Sequence, residues 1–484
     1  MTKRPFSKLS YALFLTLGLS LTQPTSAQYQ LPDLGSSSLV AYDDAKEREL
    51  GDAFKLSLHT KFNLFNDPET VNYIRTIGHR IASEIGEKRN FEFYVIDNPT
   101  INAFAGPNGI IGIHTGLIEK VKTEDELASV IAHEIAHVTQ NHLSRRYEYN
   151  SNEGSVASIA TMLAAVLIGM YDPNAGMGIM LGGTGLNIEK QLKNSRQHEF
   201  EADSMGIQYL AQSGYQPKAM ADFFGKLMQE SQYNQFELPE ILRTHPMSES
   251  RLTQSLHRAT QLEHSYIKKR DSEALQLIQA RINTERFAVI DNCYHKALQP
   301  HSQDNPNLSS LSCLLEHSSG QTVLHQTLLL ERLTQALNHK KITSKEPLIQ
   351  KALDAAKLSS SLYPQNAAIA LRLAQLLISL ERHQEAYKIL EKAKIHNFYQ
   401  KDLSSAQAQI ASKQNNLALA YLHETEVQIS IGNHKRAQYF YKQSYLTALS
   451  TNNEEILNRL LQLNTKYADL NLDKDTKSEK PAAS

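Results

Sequence analysis

Apolar residues follow two spacings along this chain, and the change between them divides it. From residue 43 to 263, stretches with apolar positions three and four apart alternate with one short region of period two. From 264 to 463 the three-and-four spacing is almost continuous. The first spacing puts side chains on one face of a helix, the second on one face of a strand. The pattern predicts an α+β chain: a mainly helical domain with a small β-sheet over 43–263, then an all-α domain over 264–463.

Within the period-two region, Phe91 to Ile96 and Gly109 to Thr115 flank a turn-rich segment, Asn102 to Asn108, containing Pro107-Asn108-Gly109. The second run alternates and sets Ile111, Ile113 and Thr115 on one face. We expect an edge strand that can hold an extended peptide through backbone hydrogen bonds, with an ordinary packing hairpin as the alternative. The all-α part carries a weaker, longer period. Ala374, Leu377, Ala386, Leu390 and Ala393, with Pro364 ahead of them, follow the small/large pattern of a tetratricopeptide unit. Tyr421, Gly432, Ala437, Tyr441 and Ser444 repeat it between Ala418 and Leu449. Small residues let paired helices approach, and stacked pairs bury a continuous face, which suits a scaffold or partner surface.

The ends read differently. Lys3 and Arg4 precede a mostly apolar run from Leu9 to Leu21, and Thr25-Ser26-Ala27 supplies small residues at a cut site. This predicts a secretory signal over 1–27, a mature chain from Gln28 in the periplasm, and a polar linker over 28–42. The polar, Lys- and Asp-containing stretch 464–484 predicts a disordered tail. The apolar run Val156 to Met170 is short for a membrane span, so we expect no transmembrane segment in the mature chain. It reads as a buried helix, with an interfacial helix as the alternative, and the glycine-rich stretch Gly176 to Gly185 reads as a loop near the site.

Charge excludes more than it suggests. Lys+Arg of 50 against Asp+Glu of 51 leaves no basic field, so no nucleic-acid partner is expected. The two cysteines, Cys293 and Cys313, are too few for a thiolate zinc site. In an exported chain they suit a disulfide, with two free buried thiols as the alternative.

The 19 histidines matter by placement. Thr123 to Val138 reads as a helix with acidic residues in its first turn, where the helix dipole favours them. It contains His133-Glu134-Ile135-Ala136-His137. Imidazoles four apart share a face and can grip one zinc ion, and Glu134 between them can act as general base. Glu199 and Asp203 are again four apart on an expected helix. Glu199 can complete a His-His-Glu metal set, and Asp203 can accept the second ring N–H of a ligand histidine. His142 is expected at the helix C-terminus or the surface, and Glu201 to point elsewhere. His245, in Thr244-His245-Pro246, has three readings: a fourth donor that plugs the metal, a transition-state hydrogen-bond donor, or a turn residue.

Asn102-Ala103-Phe104-Ala105, Gly109 with Thr115-Gly116-Leu117, the H-E-x-x-H helix and the E-x-x-A-D helix together resemble the CAAX-prenyl-endopeptidase family of zinc proteases. The resemblance implies a zincin catalytic domain of gluzincin type and one Zn2+ per chain on His133, His137 and Glu199, with Glu134 catalytic. With an export signal and C-terminal repeats, it further implies quality control of unfolded or stalled outer-membrane β-barrel proteins, chaperone activity beside proteolysis, and contact with the barrel assembly machinery.

Overall fold

The computed structural model describes residues 44–145, 188–233, 239–262, 272–284, 292–299, 308–316, 322–338, 347–364, 366–394, 400–474 and 476. The stretches expected to be an export signal and a linker, the 156–170 run and the 176–185 stretch lie outside the described residues. No described helix is long and apolar enough to cross a membrane.

Helices α1 (Asp44–Lys61) and α2 (Pro68–Glu84) lead into a three-stranded sheet. Asp67 caps α2 by accepting from Thr70 N–H at 3.0 Å, and Pro68 suits the first turn, where its missing N–H costs no bond. The strands are β1 (Glu92–Ile96), β2 (Ala103–Ala105) and β3 (Ile110–His114), in spatial order β1-β3-β2. β1 runs parallel to β3, with Phe93 opposite Ile111; β2 runs antiparallel to it, with Phe104 opposite Gly112.

This order corrects the expected edge strand. β3 has a neighbour on each side, all five of its residues are buried, and Thr115 already begins the next helix, α3 (Thr115–Lys120). Ile111, Ile113 and Thr115 therefore offer no free strand edge. The alternation arose because Gly112 leaves room for the Phe104 ring, not because one face meets water. Among the described residues, β2 is the strand with an unpaired side towards the H-E-x-x-H helix.

That helix, α4 (Glu124–Thr139), starts at Thr123, whose hydroxyl accepts from Glu126 N–H at 3.2 Å, and carries Glu124, Asp125 and Glu126 in its first turn. It is buried on nearly all sides, so it forms the middle of the catalytic core. Alongside it runs α5 (Ile188–Gln212), followed by α6 (Ala219–Tyr233), a short α7 (Glu240–Thr244) and α8 (Glu249–Leu262). α5 approaches α4 closely at Gly206, where an added Cβ would lie 3.2 Å from His133 N. That Cβ would also lie 2.8 Å from Met220 Cε, so any larger residue forces its neighbours at this crossing to shift.

The remainder of the described chain is helical: α9 (Glu273–Ile282), α10 (Asn292–Leu298), α11 (Leu308–Glu316), α12 (Val323–Leu337), α13 (Pro347–Leu362), α14 (Ala367–Ser379), α15 (His383–Lys394), α16 (Gln400–Lys413), α17 (Leu417–Ser430), α18 (His434–Ser450) and α19 (Glu454–Lys466). Asn366, Asn416, Asn433 and Asn453 cap α14, α17, α18 and α19 through their side chains. One apolar core runs from Ile74 in α2 to Ile410 in α16, so the catalytic part and the first helices behind it share an interior. A second cluster, from Ala418 to Leu472, closes the far end. Ala374, Ala386, Leu390, Ala393 and Ala437 are fully buried at helix contacts. Cys293 in α10 and Cys313 in α11 are joined by a disulfide.

The expected disorder from 464 does not hold for its described part. α19 continues to Lys466, a 3-10 turn follows at Ala468–Leu470, and Leu472 is buried in the second cluster. Composition missed this because three scattered apolar residues, Tyr467, Leu470 and Leu472, are enough to cover the end of the stack.

Candidate metal centre

Four side chains on three segments converge between α4, α5 and the turn after α7. One donor atom from each of His133, His137, Glu199 and His245 lies within 4.8 Å of the others. The Nε2 atoms of His133 and His137 are 3.0 Å apart. Glu199 reaches His133 Nε2 at 3.4 Å and His137 Nε2 at 3.6 Å. His245 Nδ1 stands 3.1 Å from Glu199 and 3.4 Å from His133. The donor set is chemically right for a borderline divalent cation: imidazole nitrogens and a carboxylate oxygen, all aimed at one point. Three ring nitrogens this close, with too few acceptors between them, are poorly satisfied by each other.

Glu134 lies beside the cluster and is buried, with one oxygen 3.6 Å from His245 Nε2. Among the described residues neither carboxylate oxygen makes a hydrogen bond, although the Ala105 backbone faces it from β2. Burial pushes the Glu134 carboxyl above its ordinary range, against the opposing pull of His245 and His133. A carboxyl so raised, poised beside a cation site, is suited to taking and returning a proton. Glu199 shifts the other way: burial opposes its charge, but His245, His137 and the hydrogen bond from His133 hold it well below the usual range.

The supporting groups set the ring orientations. Asp203, one turn after Glu199, lies 3.1 Å from His133 Nδ1. Burial opposes charge on His133, but hydrogen bonds to Asp203 and Glu199 push its pKa up to about 10. Burial holds His137 well below the ordinary imidazole range. Arg251 in α8 grips Asp203 with two bonds of 2.7 Å, lies 3.1 Å from Glu199, and donates to the Pro246 carbonyl at 2.8 Å. It is 2% exposed, so its charge is spent inside the site.

Two expectations for this neighbourhood change. His142 lies just past the helix C-terminus, as one expectation had it, but it is buried rather than at the surface, and its Nδ1 is 2.9 Å from His137 Nδ1. Glu201 does not point elsewhere: it lies 3.2 Å from His142 Nε2 and pairs with Arg145 at 2.8 Å. α4 ends at Thr139, and Asn141 takes a left-handed turn (φ 54) that swings His142 back over His137. Arg251 went unnoticed because nothing local in its sequence distinguishes it; a buried acidic pair on α5 without a cation was the available signal.

An H-E-x-x-H helix crossed by a second helix carrying Glu199 and Asp203 defines a metallopeptidase domain, and residues 68–259 match the model of Peptidase family M48. Over these residues the chain is similar to the M48 metallopeptidases. It is 37% identical over 252 residues to the "Beta-barrel assembly-enhancing protease" of Escherichia coli (strain K12), covering 52% of this chain and 51% of that protein. It is 37% identical over 263 residues to the "Putative beta-barrel assembly-enhancing protease" of Vibrio cholerae, covering 54% and 53%. It is also 29% identical over 215 residues to the "Mitochondrial metalloendopeptidase OMA1" of Schizosaccharomyces pombe, covering 44% and 58%. The chain thus spans about half the length of the bacterial relatives it matches.

Proposed function

We propose that this protein is a periplasmic zinc-dependent endopeptidase that degrades misfolded or stalled outer-membrane β-barrel proteins and promotes their assembly, its α9–α19 part being a tetratricopeptide-like scaffold that meets the barrel assembly machinery. The convergence of His133, His137, Glu199 and His245 beside Glu134 carries the reading. His133, His137 and Glu199 would hold one zinc ion, and Asp203 would fix the His133 ring through Nδ1. Zinc there would supply Lewis acidity to the scissile carbonyl and acidify water. Glu134 takes the proton from the attacking water and passes it to the leaving amine. β2, rather than β3, would hold the substrate as an extended strand beside Glu134. That mode admits unfolded chains and loops and excludes folded domains, whose strand edges are occupied.

His245 supports a second reading of the balance between activities. Its ring sits in the donor set, which favours the plug over the turn residue and over the transition-state donor. Four protein donors close a zinc site, so the protein would work mainly as an assembly scaffold until His245 is withdrawn. The test compares wild type, Glu134→Gln and His245→Ala on a denatured β-barrel protein, with and without chelator. Glu134→Gln should keep zinc and lose at least about 10²-fold in cleavage rate, while His245→Ala should cleave faster than wild type. Cleavage by Glu134→Gln at the wild-type rate would remove the peptidase reading.

A further inference from the structure

The unpaired side of β2 is partly used by the chain itself. His114 N–H donates to Asn102 O at 3.0 Å and Gly106 N–H to Ile110 O at 2.7 Å, so Asn102 and Gly106 turn their backbone groups towards β3. Strand alternation then turns those of Ile101, Ala103 and Ala105 outward, where an added strand would pair. Two of these outward groups are engaged. Ile241 N–H in α7 donates to Ile101 O at 2.9 Å. Ala103 N–H donates to the Asn102 side-chain oxygen at 3.0 Å. The Ala105 backbone faces Glu134.

Asn102 also holds both ends of α7. Its Nδ2 donates to Glu240 Oε1 at 2.9 Å, and its Oδ1 accepts from the Thr244 hydroxyl at 3.3 Å. Glu240 opens the helix and Thr244 ends it; His245 follows as its C-cap, its N–H bonded to Ile241 O at 2.8 Å. One side chain, 2% exposed, thus connects the β2 edge to the segment that aims His245 at Glu199.

We infer that Asn102 is a positioning residue for His245: it clamps α7 to the β2 edge, and an extended peptide pairing along that edge competes for the same backbone groups and frees His245. The substrate's strand would then be the signal that opens the site it is to enter. This rests on the reading of His245 as a fourth metal donor.

The test uses the full chain stripped of metal and titrated with Co2+, whose visible absorption reports coordination. His245→Ala should lower Co2+ affinity about tenfold and weaken the absorption. Asn102→Asp sets a second carboxylate against Glu240 and should shift the spectrum towards that of His245→Ala, with no further change when the two are combined. Asn102→Asp with Glu240→Gln restores a donor–acceptor pair of opposite sense and should return the wild-type spectrum. Glu240→Ala, at the half-buried start of α7, releases the clamp without touching β2 and should behave like Asn102→Asp. An unchanged spectrum in His245→Ala overturns the fourth-donor reading and this inference with it. A changed spectrum there, with Asn102→Asp and Glu240→Ala both like wild type, overturns the clamp alone. Failure of Glu240→Gln to rescue Asn102→Asp also overturns it.

Discussion

Two buried charge clusters in this molecule contain three carboxylates each and differ in what neutralises them. Behind the sheet, Asp67 and Glu69 of α2 and Glu331 of α12 meet Arg281 of α9 and Arg372 of α14, with Arg332 alongside. At the metal centre, Glu134, Glu199 and Asp203 share one fixed cation, Arg251, and three histidines whose charge depends on protonation. The first cluster is neutral in itself and joins the catalytic part to three helices behind it. The second is short of fixed positive charge at the point where four donors converge. A buried charge must be paired or must hold a metal. The same kind of residue is therefore cement in one place and a cation site in the other, and the count of arginines separates them.

The largest expected effect tests that contrast through zinc content. Protein purified with zinc and dialysed should carry about one ion per chain. His133→Ala, His137→Ala and Glu199→Ala should each bring this close to zero, while Arg281→Met should leave it unchanged. Elemental analysis decides it; stoichiometric zinc in His133→Ala would break the ligand assignment.

The next effect is on stability and falls on the other cluster. Arg281 is 5% exposed and Glu69 is fully buried, so Arg281→Met leaves carboxylates uncompensated inside the protein. It should cost about 3–5 kcal/mol in urea unfolding, and less when Glu69→Gln is added, because the stranded charge is then removed. A variant within about 1 kcal/mol of wild type would show that the cluster joins nothing.

Much of the metal centre could be read from spacing, because a helix converts an offset of four into a shared face. His133 with His137 and Glu199 with Asp203 needed no knowledge of the fold beyond that. What spacing could not reach was any contact made by the chain turning back. His142 lies five positions past His137, which on a continuing helix faces away; the helix ends first, and the left-handed Asn141 reverses the outcome. Arg251 and Asp203 are 48 residues apart, and Asn102 and Glu240 are 138 apart, so both pairs exist only through tertiary packing. The strand order failed for a related reason. Alternation says which residues share a face but not which strand lies in the middle.

The smallest expected effect separates the two regions by acid. His114, buried at the end of β3, has its pKa held down to about 4 by burial, against an ordinary 6.5. His79 is held down to about 4 and His59 to about 3, also by burial first. A histidine whose folded pKa is depressed binds fewer protons folded than unfolded, so stability falls as pH drops from 6.5 towards the folded value. For His114 alone the loss amounts to at most about 3 kcal/mol. Two carboxylates of the arginine cluster respond later, whereas burial raises the third, Glu69. Burial would raise Glu331 and Asp67, but Arg281 holds both carboxyls below their ordinary range, together with Arg372 at Glu331. Their stabilising contribution is complete above an unfolded carboxylate pKa of about 4 and is lost only as pH falls below it. Amide exchange followed from pH 7 to 3.5 should therefore show β3 and α4 loosening between pH 6.5 and 4, ahead of α12 and α14. His114→Gln should flatten the early part of that slope, since glutamine takes up no proton. If α12 and α14 opened first, or His114→Gln kept the full slope, the buried histidines would not be the acid-sensitive element.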